Sequence, residues 1–218
     1  MALKLAVLIS GRGSNLAAIQ GAIAARRCAA EIVLVLSDRA TSGLVFARDH
    51  GIRTEIVSPD AFTDRARWDE ALADAIASAS PDLVVCAGFM RVLGAACLSR
   101  FAGRVINVHP ALLPLFPGTR GPERAIEAGM RISGCTVHVV DAGVDTGPII
   151  AQAAVPIRPD DDAATLHARI QRAEHALLPR VIDAIARDAI ALTPHVQQRG
   201  SFDASEMLIS PSFPDGRV

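Results

Sequence analysis

Leu5-Ala6-Val7-Leu8-Ile9-Ser10-Gly11-Arg12-Gly13-Ser14-Asn15 is the stretch on which the fold turns. Its first five residues are apolar without polar alternation, as in a strand covered on both faces. Glycines then break the run, and a helical pattern extends from Asn15 to Arg27. Glycines at such a turn let backbone N–H groups approach an anion, and the helix N-terminus adds favourable partial charge. Ser14 and Asn15 are good N-caps, so a tight capped turn without a ligand is the simpler reading of the same residues.

Outward from this unit the pattern repeats. Strand-like runs at Ile32–Leu36, Thr54–Val57, Leu83–Cys86 and Val105–Val108 alternate with helical patterns at Ser42–His50, Phe62–Ala79 and Ala95–Phe101. Short buried strands separated by helices predict a doubly wound, Rossmann-like α/β domain with a mostly parallel sheet. After Asn107 the rhythm changes. A Pro/Gly-rich loop, Pro110 to Pro122, precedes a helix at Glu123–Ala128. Two strands follow, Cys135–Val140 and Ile149–Val155, joined by Asp141-Ala142-Gly143-Val144-Asp145-Thr146-Gly147-Pro148. Such close succession predicts an antiparallel pair on the C-terminal side. A long helix is expected from Asp160–Asp162 to about Arg187, its acidic first turn suited to the helix dipole. Residues 1–193 read as one domain and 194–218 as a C-terminal extension, with weak structure of its own from Ser201.

Composition narrows the function. Half of the 218 residues are apolar, enough for a substantial core. A net charge of −1 gives no electrostatic reason to expect nucleic acid or an anionic membrane as partner. The N-terminus has no signal-peptide pattern, and no apolar run approaches the ~20 residues of a membrane helix. The four cysteines lack a C-x-x-C spacing and the six histidines a paired ligand spacing, which speaks for a cytoplasmic protein without a metal.

Asn107-Val108-His109-Pro110 ends the fifth strand. Strand alternation points Asn107 and His109 the same way. An amide donor beside an imidazole serves a developing oxyanion and a proton transfer, and Asp145 from a second strand end could orient that imidazole. Each of the three has a simpler reading, as core histidine, turn residue or strand-end amide. Their shared place at the C-terminal edge of the sheet, where open α/β folds bind ligands, favours function. Cys86-Ala87-Gly88-Phe89-Met90-Arg91-Val92-Leu93 follows the fourth strand, and its apolar residues could line a pocket there. His138 is expected to be half buried, with a supporting role open to it. A dinucleotide site is a rival, because Gly11-x-Gly13 follows a strand and Asp38 stands where a ribose-binding acid would. The third glycine is missing, however, and Leu16 takes its place. Ser14-Asn15 suits one phosphate monoester better than a pyrophosphate.

In this order, Gly11-Arg12-Gly13-Ser14-Asn15, Ala87-Gly88-Phe89-Met90-Arg91, Asn107-Val108-His109-Pro110, Asp145-Thr146-Gly147-Pro148 and Glu174-His175-Ala176-Leu177-Leu178-Pro179 resemble the folate-dependent formyltransferase family from about Leu5 to Arg187. Gly-x-Gly-Ser-Asn is similar to its ribonucleotide-phosphate branch. The resemblance implies the formyltransferase form of the fold. It implies transfer of the formyl group from 10-formyltetrahydrofolate, as co-substrate, to the amine of glycinamide ribonucleotide, a step of purine synthesis. Asn107, His109 and Asp145 would be catalytic. Gly13, Ser14, Asn15, Gln171 and Glu174 would bind the ribonucleotide. The folate would meet Arg65, Met90, Arg91, Val92, Leu93, Val140 and Asp141. Partners would be these two small molecules, with the chain a monomer or homodimer and no nucleic acid or membrane involved.

Two stretches depart from the family pattern. Leu115 stands where relatives often have a basic residue, and Thr119-Arg120-Gly121-Pro122 replaces a histidine-containing stretch. A formyl-folate hydrolase is expected to carry an additional N-terminal domain, whereas the first strand here begins at Leu5. A relative acting on tRNA is expected to carry a C-terminal domain, for which the roughly 25 residues after Pro194 are too few.

Overall fold

The computed structural model describes residues 2–192 and 196–199. Its sheet strands are β1 (Leu3–Ile9), β2 (Ala30–Ser37), β3 (Thr54–Ile56), β4 (Leu83–Cys86), β5 (Val105–His109), β6 (Ile132–Val139) and β7 (Ile149–Pro156). They lie in the order β3-β2-β1-β4-β5-β6-β7. The first five are parallel, and β6 is antiparallel to both β5 and β7. The doubly wound, mostly parallel sheet expected from the strand pattern is therefore present, with one reversed strand making the antiparallel pair.

Among the described residues six α-helices cover it: α1 (Ser14–Ala24), α2 (Ser42–Asp49), α3 (Arg65–Ser78), α4 (Ala95–Arg100), α5 (Gly121–Glu127) and α6 (Ala163–Ala186). The apolar run of β1 explains why both faces need cover. Leu5, Val7 and Ile9 pack with Leu16, Leu44 and Ile170 from α1, α2 and α6, while Ala6 and Leu8 pack with Leu72, Ile76 and Cys97 from α3 and α4. These five of the seven β1 side chains are fully buried, worth about 1.5–3 kcal/mol for each of the larger ones. All four cysteines are buried and free.

Polar residues set several element ends. Asp64 caps α3 by accepting from the Arg67 N–H, which starts that helix three residues later than predicted. Asp69, inside α3 and buried, accepts from the backbone N–H groups of Gly94 (2.7 Å), Ala96 (2.8 Å) and Cys97 (3.3 Å), capping α4 from a neighbouring helix. Asp162 forms a capping box with Thr165, and Asp161 is paired with Arg169 at 2.7 Å. The acidic run before α6 thus supplies a cap and an ion pair, where a charged first turn was expected. α5 opens on Gly121-Pro122, two residues before the predicted start, because proline is tolerated in a first turn.

A hairpin of β8 (Ile190–Leu192) and β9 (Val196–Gln198) follows α6. No pattern announced it, since three-residue strands are too short to show alternation, and it puts paired structure just past the expected boundary at residue 194. Residues Ser201 to Val218, expected to be weakly structured, lie outside the described residues. Among the described residues no helix is long and apolar enough to cross a membrane.

Strand order reverses at β1, with β2 on one side and β4 on the other, so the loops after β1 and β4 meet at the C-terminal edge. The Ser10 N–H donates to the Gly88 carbonyl (3.0 Å), and the Met90 N–H donates to the Ser10 hydroxyl (2.9 Å).

Candidate active site

β5 and β6 pair so that Asn107 faces His138 and His109 faces Thr136. All four side chains lie on one face of the sheet. The following loop is fixed from the same face. The Thr136 hydroxyl accepts from the Leu113 N–H (3.0 Å) and donates to the Ala111 carbonyl (2.7 Å). The acidic loop then returns Asp145 to the strand ends. Gly147 makes this return possible: a Cβ there would stand 1.8 Å from the Val139 carbonyl oxygen.

Asn107, His109 and Asp145 converge. His109 Nδ1 lies 3.3 Å from Asp145 Oδ2, and Asn107 Nδ2 lies 3.5 Å from Oδ1. The carboxylate also accepts the Gly118 N–H at 2.8 Å. Burial alone would raise the Asp145 carboxyl. Hydrogen bonds from His138 and Gly118, with the charges of the two imidazoles, outweigh it and hold the group below its ordinary value. Asp145 has φ 55°, in the left-handed region that costs a non-glycine residue about 1 kcal/mol or more, so the surrounding contacts maintain a strained backbone.

His138, expected to be half buried, is almost fully buried and lies against Asn107 and Asp145. It is 2% exposed, and its Nε2 lies 3.1 Å from Asn107 Nδ2 and 3.5 Å from Asp145 Oδ1. Its Nδ1 faces the Val139 carbonyl at 2.9 Å, which requires an N–H there. In the neutral ring Nε2 then accepts from the Asn107 amide and orients it, whereas in the charged ring Nε2 carries a proton and donates to Asp145. A histidine within a strand was visible in the sequence; the register that sets it opposite Asn107 was not.

The other ring nitrogen of His109, Nε2, contacts the Phe116 carbonyl at 2.9 Å. The Pro117 carbonyl accepts from Arg124, whose guanidinium also lies over the Phe116 ring at 5.4 Å. Segment 116–118 therefore closes over the histidine, which is 4% exposed.

The ribonucleotide residues expected from sequence also meet. Gly13 has φ 75° at the N-cap of α1, a conformation that glycine adopts without penalty. Gln171 Nε2 donates to the Ser14 hydroxyl, and Asn15 Nδ2 donates to Glu174 Oε2, both at 2.9 Å. Glu174 is buried, and burial pushes its carboxyl up to about 7 against the lowering effect of Asn15.

Of the residues expected along the folate, Met90 (72% exposed), Arg91 and Val92 are open at the sheet edge, and Arg65 donates to the Val92 carbonyl at 2.6 Å. Leu93 does not join them. It is buried in the core with Trp68 and Leu72, because the chain turns inward there to begin α4. Val140 packs against that same core, and Asp141 Oδ1 accepts from Gly143 N–H and the Thr146 hydroxyl, which shapes the acidic loop. Among the described residues no group of three or more His, Cys, Asp or Glu is placed to hold a metal.

Residues 3–182 match the formyl transferase family. The chain belongs to this family. It is 43% identical over 197 residues to the phosphoribosylglycinamide formyltransferase of Mycobacterium tuberculosis, a match covering 90% of this chain and 91% of that one. It is 44% identical over 199 residues to the trifunctional purine biosynthetic protein adenosine-3 of Drosophila melanogaster, covering 90% of this chain but spanning only 15% of that protein. The crystal structure of glycinamide ribonucleotide transformylase 1 from Symbiobacterium toebii superposes with TM-score 0.87 at 40% identity, covering 90% of this chain and 94% of that one. The expected fold is thus met by solved structures as well as by the chain's own sheet order.

Proposed function

We propose that the protein transfers the formyl group of 10-formyltetrahydrofolate to the amine of glycinamide ribonucleotide. The observation that carries this reading is the convergence of Asn107, His109 and Asp145 at the sheet edge that also bears the Gly13–Asn15 loop. Relatives of matching length named phosphoribosylglycinamide formyltransferase support it.

The neutral amine attacks the formyl carbon. A C–N bond forms, and the carbonyl electron pair moves onto oxygen. The Asn107 N–H and the His109 Nε2–H stabilise that oxyanion. The Asn107 contact with Asp145, at the limit of a hydrogen bond, leaves one amide N–H to turn toward the oxyanion. A His109 ring protonated on both nitrogens donates to Asp145 on one side and to the formyl oxygen on the other. The Phe116 carbonyl holds that second position here, so segment 116–118 gives way when the donor binds. Collapse breaks the bond to the folate nitrogen, which leaves with the electron pair. A proton passes from the amine to that nitrogen through His109 or a water held by Asp145. No enzyme-bound acyl group is needed, and the cysteines suit none: burial pushes the Cys86 thiol up to about 12.

The ribonucleotide phosphate is held by the N–H groups of the Gly13–Asn15 turn. Gln171 and Glu174 reach the same place from α6. The test is donor turnover with and without glycinamide ribonucleotide. Tetrahydrofolate release that depends on the ribonucleotide supports the reading. Release that ignores the amine points to a hydrolase and contradicts it.

A further inference from the structure

Asp38, at the end of β2, stands where a dinucleotide fold would place its ribose-binding acid. Its surroundings give it another task. The side chain is 0% exposed, although it is a carboxylate at the rim of the sheet. Oδ2 accepts from Arg91 Nε at 2.9 Å and from Arg39 Nη2 at 2.7 Å, and Oδ1 accepts from Arg39 Nε at 3.2 Å. The Ser10 hydroxyl, which accepts from the Met90 N–H, spends its own proton on Asp38. One buried carboxylate thereby ties the ends of β1 and β2 to the loop that carries Met90, Arg91 and Val92.

We infer that Asp38 is a positioning residue that holds the Arg91 guanidinium in place for a carboxylate on the tail of the formyl donor. This rests on the reading that the folate lies along Met90–Val92. The geometry distinguishes the two arginines. Arg39 gives Asp38 both Nε and Nη2. Arg91 gives only Nε and, among the described residues, its two terminal nitrogens have no partner. Those nitrogens form the planar fork that matches a carboxylate. The side chain of Arg91 is 41% exposed, so the fork is accessible while its stem is held. Arg65, donating to the Val92 carbonyl, adds a second cation beside it. The donor suits this rim: a flat ring system, an apolar middle, and a glutamate tail with two carboxylates.

Burying Asp38 raises its carboxyl, and hydrogen bonds from Arg39, Arg91 and Ser10 outweigh that and bring it down to about 2. The anchor is therefore charged throughout the neutral range. A long arginine free in solvent loses rotamer entropy when it captures a ligand; an arginine already fixed has lost it beforehand.

The test compares Asp38→Ala, Asp38→Asn and Arg91→Ala in steady-state transfer, using the complete donor and a donor lacking its glutamate. Asp38→Ala is expected to raise KM for the complete donor by about tenfold, the scale of a charge-assisted contact, with kcat and the KM for glycinamide ribonucleotide unchanged. With the truncated donor the effect should vanish, and Asp38→Ala added to Arg91→Ala should cost nothing further. Asp38→Asn, which keeps the shape and one acceptor, carries the test if the alanine variant fails to fold; it should move KM in the same direction by less. Equal losses with both donors would overturn the inference, as would a raised KM in Arg91→Ala with no change in Asp38→Asn or Asp38→Ala. An unchanged donor KM in Arg91→Ala would instead show that the folate does not lie on this loop.

Discussion

At the residue scale, His109 has an oxygen acceptor on each side of its ring, Asp145 at 3.3 Å and the Phe116 carbonyl at 2.9 Å. In the proposed mechanism, removing the ring removes an oxyanion donor and the proton carrier together. His109→Ala and Asn107→Ala are each expected to lower kcat by about 10²–10³-fold with melting temperature little changed, read from transfer assays beside thermal unfolding. Asp145 follows the acid limb. Its folded value is depressed, so its contribution to stability is present above the ordinary carboxylate range and is lost as pH falls through the lower folded value. Glu174 has the opposite sign. Its carboxyl is raised from 4.5 to about 7, so the folded state holds a proton that the unfolded state releases. Stability of the unliganded protein should therefore fall as pH rises through that window, by at most about 3 kcal/mol. Glu174→Gln should be more stable than the parent at about pH 8 and no more stable at about pH 5. Identical pH profiles for the two proteins would contradict the buried, neutral-range carboxyl.

At the scale of elements, the strands and helices were legible wherever a periodic pattern ran long enough. β1, β4 and β5 read directly from unbroken apolar runs, α3 from amphipathic spacing and α6 from the acidic residues that precede it. What escaped was set by contacts distant in sequence. Asp69 looks like a solvent-facing helix residue until α4 is seen seated on it, 25 residues away from Gly94. Asp69→Ala is expected to destabilise by about 2–3 kcal/mol, since three backbone N–H groups lose a buried carboxylate. Denaturant unfolding with an unchanged slope would measure it. His138 was visible as a strand residue, but its bond to Asn107 depends on a register that no single strand encodes. Leu93 went the other way: its place in a loop sequence resembling a binding wall hid its burial beneath α3 and α4. The acidic loop depends on Gly147. Gly147→Ala should displace Asp145 and abolish most transfer, because the added carbon would overlap the Val139 carbonyl.

At the scale of the whole molecule, the sheet gathers its chemistry at one edge. Five parallel strands end there; β6 runs away from that edge, and the acidic loop after it folds back to set Asp145 beside Asn107 and His109. In the proposed reading the ribonucleotide meets the β1 turn and α6, and the donor meets the loop after β4, at the edge that also bears Asn107 and His109. The strand order was legible only as a class, because a mostly parallel sheet follows from covered strands whereas the neighbours of β1 do not. The central claim is that this edge moves a formyl carbon from donor to amine through Asn107 and His109. The most direct measurement uses a donor carrying heavy carbon in its formyl group and follows that carbon by mass spectrometry in the parent protein and in Asn107→Ala. The account predicts label in the amide of formylglycinamide ribonucleotide with the parent, and a rate lower by about 10²-fold or more with the variant. Label released as free formate, or transferred equally well by the variant, would contradict it.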